Sequence, residues 1–255
     1  MMGSRTPGST GIAIAVAILA LLVASSAAIA GPPFVTDDPE PTSHRHFEIY
    51  LFSDGSATRD GMSGSALGLE INYGALPNLQ ISASLPVGYS APSRARMRLG
   101  VTDAEFGVKY RFIQEGENWW QPQVSFYPSV EAAIASEIGE HSTRIFLPLW
   151  VQKSFGPWTT FGGGGYRINP GVDGRNSWFV GWAILRRLGE CLHLGAEIFR
   201  ETAEMRGEKD ATGVDLAAIY DLSEAFHLVG SAGPEFGAPG TAAALSYYLG
   251  LEWTT

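Results

Sequence analysis

From residue 40 onward the chain falls into segments in which apolar and polar side chains alternate, each about 10 to 13 residues long and separated by clusters of Gly, Pro, Asn, Asp and Ser. In Asn78-Leu79-Gln80-Ile81-Ser82-Ala83-Ser84-Leu85 the odd positions are apolar and the even ones polar, which an extended strand sends to opposite faces. Between Thr102 and Phe112 the parity is reversed. Ala104, Phe106, Val108, Tyr110 and Phe112 share one face, and Glu105, Gly107, Lys109 and Arg111 share the other. Each segment therefore has one greasy and one wet side.

The same test along the chain predicts about 12 strands, at 43–53, 64–74, 78–87, 101–113, 121–134, 142–155, 157–168, 176–187, 190–201, 210–221, 225–235 and 241–253. Tight joints lie at Gly74–Pro77, Phe155–Pro157, Leu188–Glu190 and Leu222–Glu224, with Gln114–Trp120 slightly longer. Longer polar joints fall between them, at Asp54–Ser63, Gly88–Gly100, Ala135–His141, Asn169–Arg175, Thr202–Lys209 and Phe236–Gly240. Alternation of short and long joints is the signature of a single antiparallel up-and-down transmembrane β-barrel, in which one rim carries turns and the other loops. Closure is also a requirement in lipid, where each unpaired edge amide costs several kcal/mol. The predicted strands are long enough to cross a bilayer at a tilt, whereas those of a soluble sandwich are usually about 5 or 6 residues. Tyr73, Tyr110, Phe112, Trp158, Tyr166, Trp178, Tyr220, Phe226 and Trp253 fall near predicted strand ends, where the bilayer interfaces would lie. The same aromatics would serve a soluble β-protein as core, which keeps a periplasmic ligand-binding barrel as a rival.

The N-terminus changes the compartment. Arg5, an apolar stretch from Gly11 to Ala24 and Ala28-Ile29-Ala30 before Gly31-Pro32 make residues 1–30 a secretory signal peptide, since the stretch is shorter than the ~20 residues of a membrane-crossing helix. Residues 31–42 then form an N-terminal segment, rich in Pro and carrying Asp37, Asp38 and Glu40, which the sequence leaves open between a periplasmic tail and a lumen plug. Residues 43–255 are the barrel. The net charge of −9 with 17 Lys+Arg, none in a run, offers no footprint for nucleic acid. Cys191 stands alone, so no disulfide or CxxC pair exists, and a small strand residue is its plain reading.

If the apolar parity faces lipid, the other parity lines the interior. It collects Glu48, Tyr50, Glu70, Glu105, Lys109, Arg111, Tyr127, Glu131, Arg144, Arg167, Arg187, His193, Glu197, Asp215, His227 and Glu235 as pore-lining candidates, together with Glu252 and Phe199. Charges of both signs in a narrow interior are expected to pair, either to rigidify the barrel or to border a solute path. Tyr50, Tyr127 and Phe199 offer stacking surface to an aromatic solute. His44 and His46 would share a strand face about 7 Å apart, but no third ligand accompanies them, so no metal site is assigned. A barrel enzyme acting on lipids or esters would need Ser, His and an acid to converge, and His141-Ser142 is the only adjacent pair. No GxSxG, P-loop, HExxH or GxGxxG occurs, and Gly162–Gly165 is expected to kink a strand rather than cradle phosphate. The expectation is therefore a non-enzyme without catalytic residues or cofactor.

Gly31-Pro32-Pro33-Phe34-Val35-Thr36-Asp37-Asp38-Pro39-Glu40-Pro41, followed by His44, His46, Phe47, Glu48 and Tyr50, resembles the outer-membrane transporter family named for the meta-cleavage pathway of phenol degradation. Glu105–Phe112, Phe146-Leu147-Pro148-Leu149-Trp150 and Phe161-Gly162-Gly163-Gly164-Gly165-Tyr166 resemble it too, so the likeness runs across most of the mature chain. It implies a barrel in the outer membrane of a Gram-negative bacterium that passes small hydrophobic or aromatic compounds, with the bilayer and the barrel-assembly machinery as partners. One departure is the end of the chain, where Trp253 is followed by Thr254-Thr255 rather than closing on an aromatic.

Overall fold

The computed structural model describes residues 32–118, 120–133, 142–237 and 244–255. The predicted signal peptide and His141 lie outside them, as do the Ala135–His141 joint and residues 241–243. The described residues form fourteen strand segments: β1 Phe47–Thr58, β2 Gly61–Leu76, β3 Leu79–Pro92, β4 Arg98–Val101, β5 Ala104–Ile113, β6 Gln123–Phe126 and β7 Ser129–Ala132 in the first half, then β8 Arg144–Phe155, β9 Trp158–Ile168, β10 Ser177–Arg187, β11 Leu192–Glu201, β12 Ala211–Asp221, β13 Phe226–Phe236 and β14 Ala244–Thr254. Every pairing between these strands is antiparallel, and β14 returns to pair with β1 from Glu48↔Thr254 to Ala57↔Leu245. The sheet is closed. Segments β4 and β5 together pair with β3, and β6 and β7 together bridge β5 and β8, so the wall has 12 antiparallel strands.

Both interruptions have a proline cause. Pro86 has no N–H to give the strand opposite, and the amide of Thr102 bonds its carbonyl at 3.0 Å between β4 and β5. Pro128 separates β6 from β7 in the same way, its carbonyl accepting from the Val108 amide at 3.0 Å.

Two expectations are corrected. The first wall strand begins at Phe47 rather than 43, because Arg45 sits at φ 67 and turns the chain out of extended geometry. His44 and His46 therefore do not share a strand face: His44 bridges Gly74, while the His46 ring contacts the Thr255 carbonyl. The supposed long joints Asp54–Ser63 and Gly88–Gly100 are largely strand, since β1 and β2 pair as far as Thr58↔Gly61 and β3 runs to Pro92. Ser, Thr and Gly carry no greasy face to read, yet backbone pairing needs none once the ribbon projects beyond lipid. At Gly162–Gly165 β9 keeps unbroken register with β8 and β10, with Gly163 at φ 154. These glycines serve close approach: a Cβ at Gly162 would lie 2.4 Å from the Trp182 ring.

The exterior is apolar. Phe106, Val108, Tyr110 and Phe112 are exposed while Lys109 between them is buried, and the same contrast recurs on β10, where Trp178, Val180, Trp182 and Ile184 face out. Aromatic contacts gather near both rims: Phe47 with Tyr73 and Phe226 with Trp253 at the rim of the tight turns, Tyr166 with Trp178 at the opposite rim. Exposed apolar surface on this scale, closed into a cylinder, is what lipid solvates. Replacing Leu216, 69% exposed in the middle of β12, by Arg is expected to cost about 2–4 kcal/mol in lipid, measurable by urea unfolding in bilayers. An unchanged stability would place this face outside lipid.

The interior is not uniformly ionic. Phe161, Ala183, Leu185, Ala217, Ile219 and Val229 form an inward-facing apolar cluster on β9, β10, β12 and β13, and Trp150, Phe179 and Phe199 form a second. On β10 both faces are therefore apolar, so parity alone does not tell inside from outside there.

Candidate functional site

Residues 32–42 lie against the inner wall. Phe34 enters the first apolar cluster, edge to face with Phe161 at 5.5 Å between ring centres. Beyond it, the carboxylate of Glu197 on β11 accepts the Val35 and Thr36 amides at 2.8 and 2.9 Å, one on each oxygen. Ser231 donates to the Pro33 carbonyl at 2.6 Å, and Gln80 accepts from the Thr42 amide at 2.8 Å. Pro at four of these eleven positions removes donors the lumen would otherwise have to satisfy.

The ionic anchor is Lys109. Its ammonium donates to Asp37 at 3.0 Å, stands 3.9 Å from Asp38, and lies 4.9 Å over the Tyr127 ring. Burial pushes the Asp38 carboxyl well above the usual carboxylate range, and Lys109 offsets only part of that. Glu40 faces Arg111 at 3.6 Å and accepts from the side-chain Nε2 of Gln123 at 3.3 Å.

Three cavities lie inside the barrel, two of them bordered by the segment. The largest, about 710 Å³, is lined by ten of the candidates, Glu48, Tyr50, Glu70, Glu105, Lys109, Tyr127, Glu131, Arg167, Asp215 and Glu235. A second, about 620 Å³, shares Phe52, Asp54, Glu105 and Glu131 with it, adds Arg144, and runs toward the rim of the long joints. The third, about 260 Å³, holds Arg111 beside Gln114 and Ser154 at the rim of the tight turns. Glu40 borders both the first and the third, so the N-terminal segment stands between the two ends of the lumen.

Four candidates are placed elsewhere. Glu197 points inward, but its two oxygens are taken up by the N-terminal segment. Arg187, His193 and His227 line none of the three cavities and sit near the rim of the tight turns. There Asp221 gathers both imidazoles, His227 Nδ1 at 2.7 Å and His193 Nε2 at 3.5 Å, and Arg187 faces His193 across the ladder. Sequence parity reports the face, not the depth along the barrel axis.

The sequence also passed over residues that complete the site. Glu204, in the joint after β11, pairs with both Arg144 and Arg167, which further pair with Glu131 and Glu201 respectively. A loop has no parity to mark it. Phe146 and Trp150 line the large cavity from β8, where Ile145, Leu147 and Leu149 make the outward parity equally apolar; Arg144 and Gln152 on the inward parity were the available signal.

No family model and no characterised relative matches the sequence. Solved structures do match. An outer-membrane channel from Pseudomonas putida F1 aligns at a TM-score of 0.68 with 12% identity, over 85% of this chain and 97% of that one. The KdgM porin follows at 0.55 with 10% identity, over 80% and 98%. The translocator domain of the autotransporter NalP from Neisseria meningitidis aligns at 0.51 with 14% identity, over 82% and 87%. The fold is that of outer-membrane β-barrels. At these identities the likeness concerns the fold, and the rest follows from this chain's own lumen.

Proposed function

We propose that the protein is an outer-membrane channel for small hydrophobic or aromatic compounds, exported through its signal peptide and set with the tight turns toward the periplasm. The observation that carries this reading is the pair of joined cavities inside a closed, lipid-facing wall, bordered by Tyr50, Tyr127, Phe146, Trp150 and Phe199. Aromatic faces in a confined space favour aromatic solutes through stacking and edge contacts. The resemblance of residues 31–50 to the transporter family named for phenol degradation points to the same solute class. The test is uptake of labelled phenol or toluene into lipopolysaccharide-bearing vesicles containing the mature protein. Entry faster than into vesicles without protein is expected, and equal rates would reject the channel.

A further inference from the structure

We infer that the lumen selects by charge, passing organic ammonium ions and turning back organic anions; the inference rests on the channel reading above and narrows its solute class. Among the described residues, the walls of the large cavity carry ten Asp and Glu side chains against two basic ones, Lys109 and Arg167. The whole chain has 26 acidic residues against 17 Lys and Arg, so the imbalance is concentrated at the cavity.

Both basic groups are already engaged, Lys109 by Asp37 and Arg167 by Glu201 and Glu204. Glu40 and Glu131 face Arg111 and Arg144. Glu48, Asp54, Glu70, Glu105, Asp215 and Glu235 have no salt-bridge partner among the described residues. They project from β1, β2, β5, β12 and β13, which spreads the negative charge along one continuous arc of the wall, from β12 through β14 and β1 to β5. Where these carboxylates are hydrogen-bonded, the donors are neutral: Asn72 to Glu70, the Ser65 amide to Asp54, Ser246 to Asp215. Such bonds hold the carboxylates in place and favour their ionised form. A confined, low-dielectric wall of one sign focuses its field on the solute path and raises the local concentration of the opposite sign.

Two further observations point to ammonium. Lys109 shows the arrangement already realised inside the barrel, its ammonium held between the Asp37 carboxylate and the Tyr127 ring. Aromatic faces beside carboxylates are the chemistry that recognises such cations. Tyr50 borders the cavity together with Glu48, and its cross-strand neighbour on β2, Glu70, borders it too.

The test uses the full mature chain in planar bilayers and in vesicles. A salt gradient should give a reversal potential of cation-selective sign, and phenyltrimethylammonium should enter vesicles at least about tenfold faster than benzenesulfonate of similar size. Glu235→Gln should lower that ratio, and the triple variant Glu105→Gln, Asp215→Asn, Glu235→Gln should lower it further; the single variant keeps the test alive if the triple does not assemble. Equal entry of the two ions, a reversal potential of the other sign, or a ratio indifferent to Glu235→Gln would each overturn the inference, while uptake of neutral phenol or toluene judges the channel reading separately. Absence of any ionic current or ion entry also overturns it.

Discussion

Lys109→Met should release residues 32–42 from the lumen and raise the conductance of the reconstituted barrel. Lys109 is 4% exposed and its ammonium is the basic group facing both Asp37 and Asp38, so its removal leaves carboxylates in the interior without a counter-charge. Breaking a buried pair in this way costs about 3–5 kcal/mol, more than a tail held by a handful of hydrogen bonds readily absorbs. Asp38→Asn should be far milder, because burial already pushes that carboxyl toward its neutral form and the amide can still accept from the Glu40 amide. Limited proteolysis of the stretch around Val35 and single-channel conductance report the outcome. Protection and conductance both unchanged in Lys109→Met would mean that Glu197 and Phe34 hold the segment without the ion pair. Because the pair is shielded from bulk salt, the contrast between the two variants should persist at high ionic strength.

Phe161→Ala is expected to cost the barrel about 3–5 kcal/mol in urea unfolding, the range for truncating a fully buried aromatic. Its side chain is 0% exposed among Ala183, Leu185, Ala217, Ile219 and Val229, residues with little reach to close the gap. Phe34→Ala should weaken the barrel less, since Phe34 belongs to the segment that docks rather than to the wall. The pair then makes a clean cycle: their edge-to-face contact predicts a coupling of about 0.5–1.5 kcal/mol. A coupling near zero would show that Phe34 spends its time away from the cluster. An equal loss of stability for the two single variants would make the docked segment an integral part of the wall's core.

Much of the architecture was legible without coordinates, and unevenly so. On β5 the charges of Glu105, Lys109 and Arg111 against Phe106, Val108, Tyr110 and Phe112 left a single reading of in and out, which the wall follows. On β8 and β10 that contrast vanishes, because the lumen is lined there by Phe146, Trp150, Phe179, Ala183 and Leu185. On the projecting hairpin of β1 and β2, Ser and Gly on both faces concealed pairing that the backbone completes as far as Thr58↔Gly61.

The sequence by itself determined the number of wall strands, their order and the sense of their exteriors, because lipid on one side and water or ions on the other impose a two-residue period that composition cannot hide. What remained for the tertiary structure was everything measured across the barrel. Closure brings Glu197 to the amides of residues 35 and 36, more than 160 positions away in the chain, and sets Lys109 against Asp37. It also divides inward charges of the same parity between the large cavity and the Asp221 cluster near the rim. Periodicity fixes which way a side chain points, whereas the curvature and stagger of the closed sheet decide what it meets there.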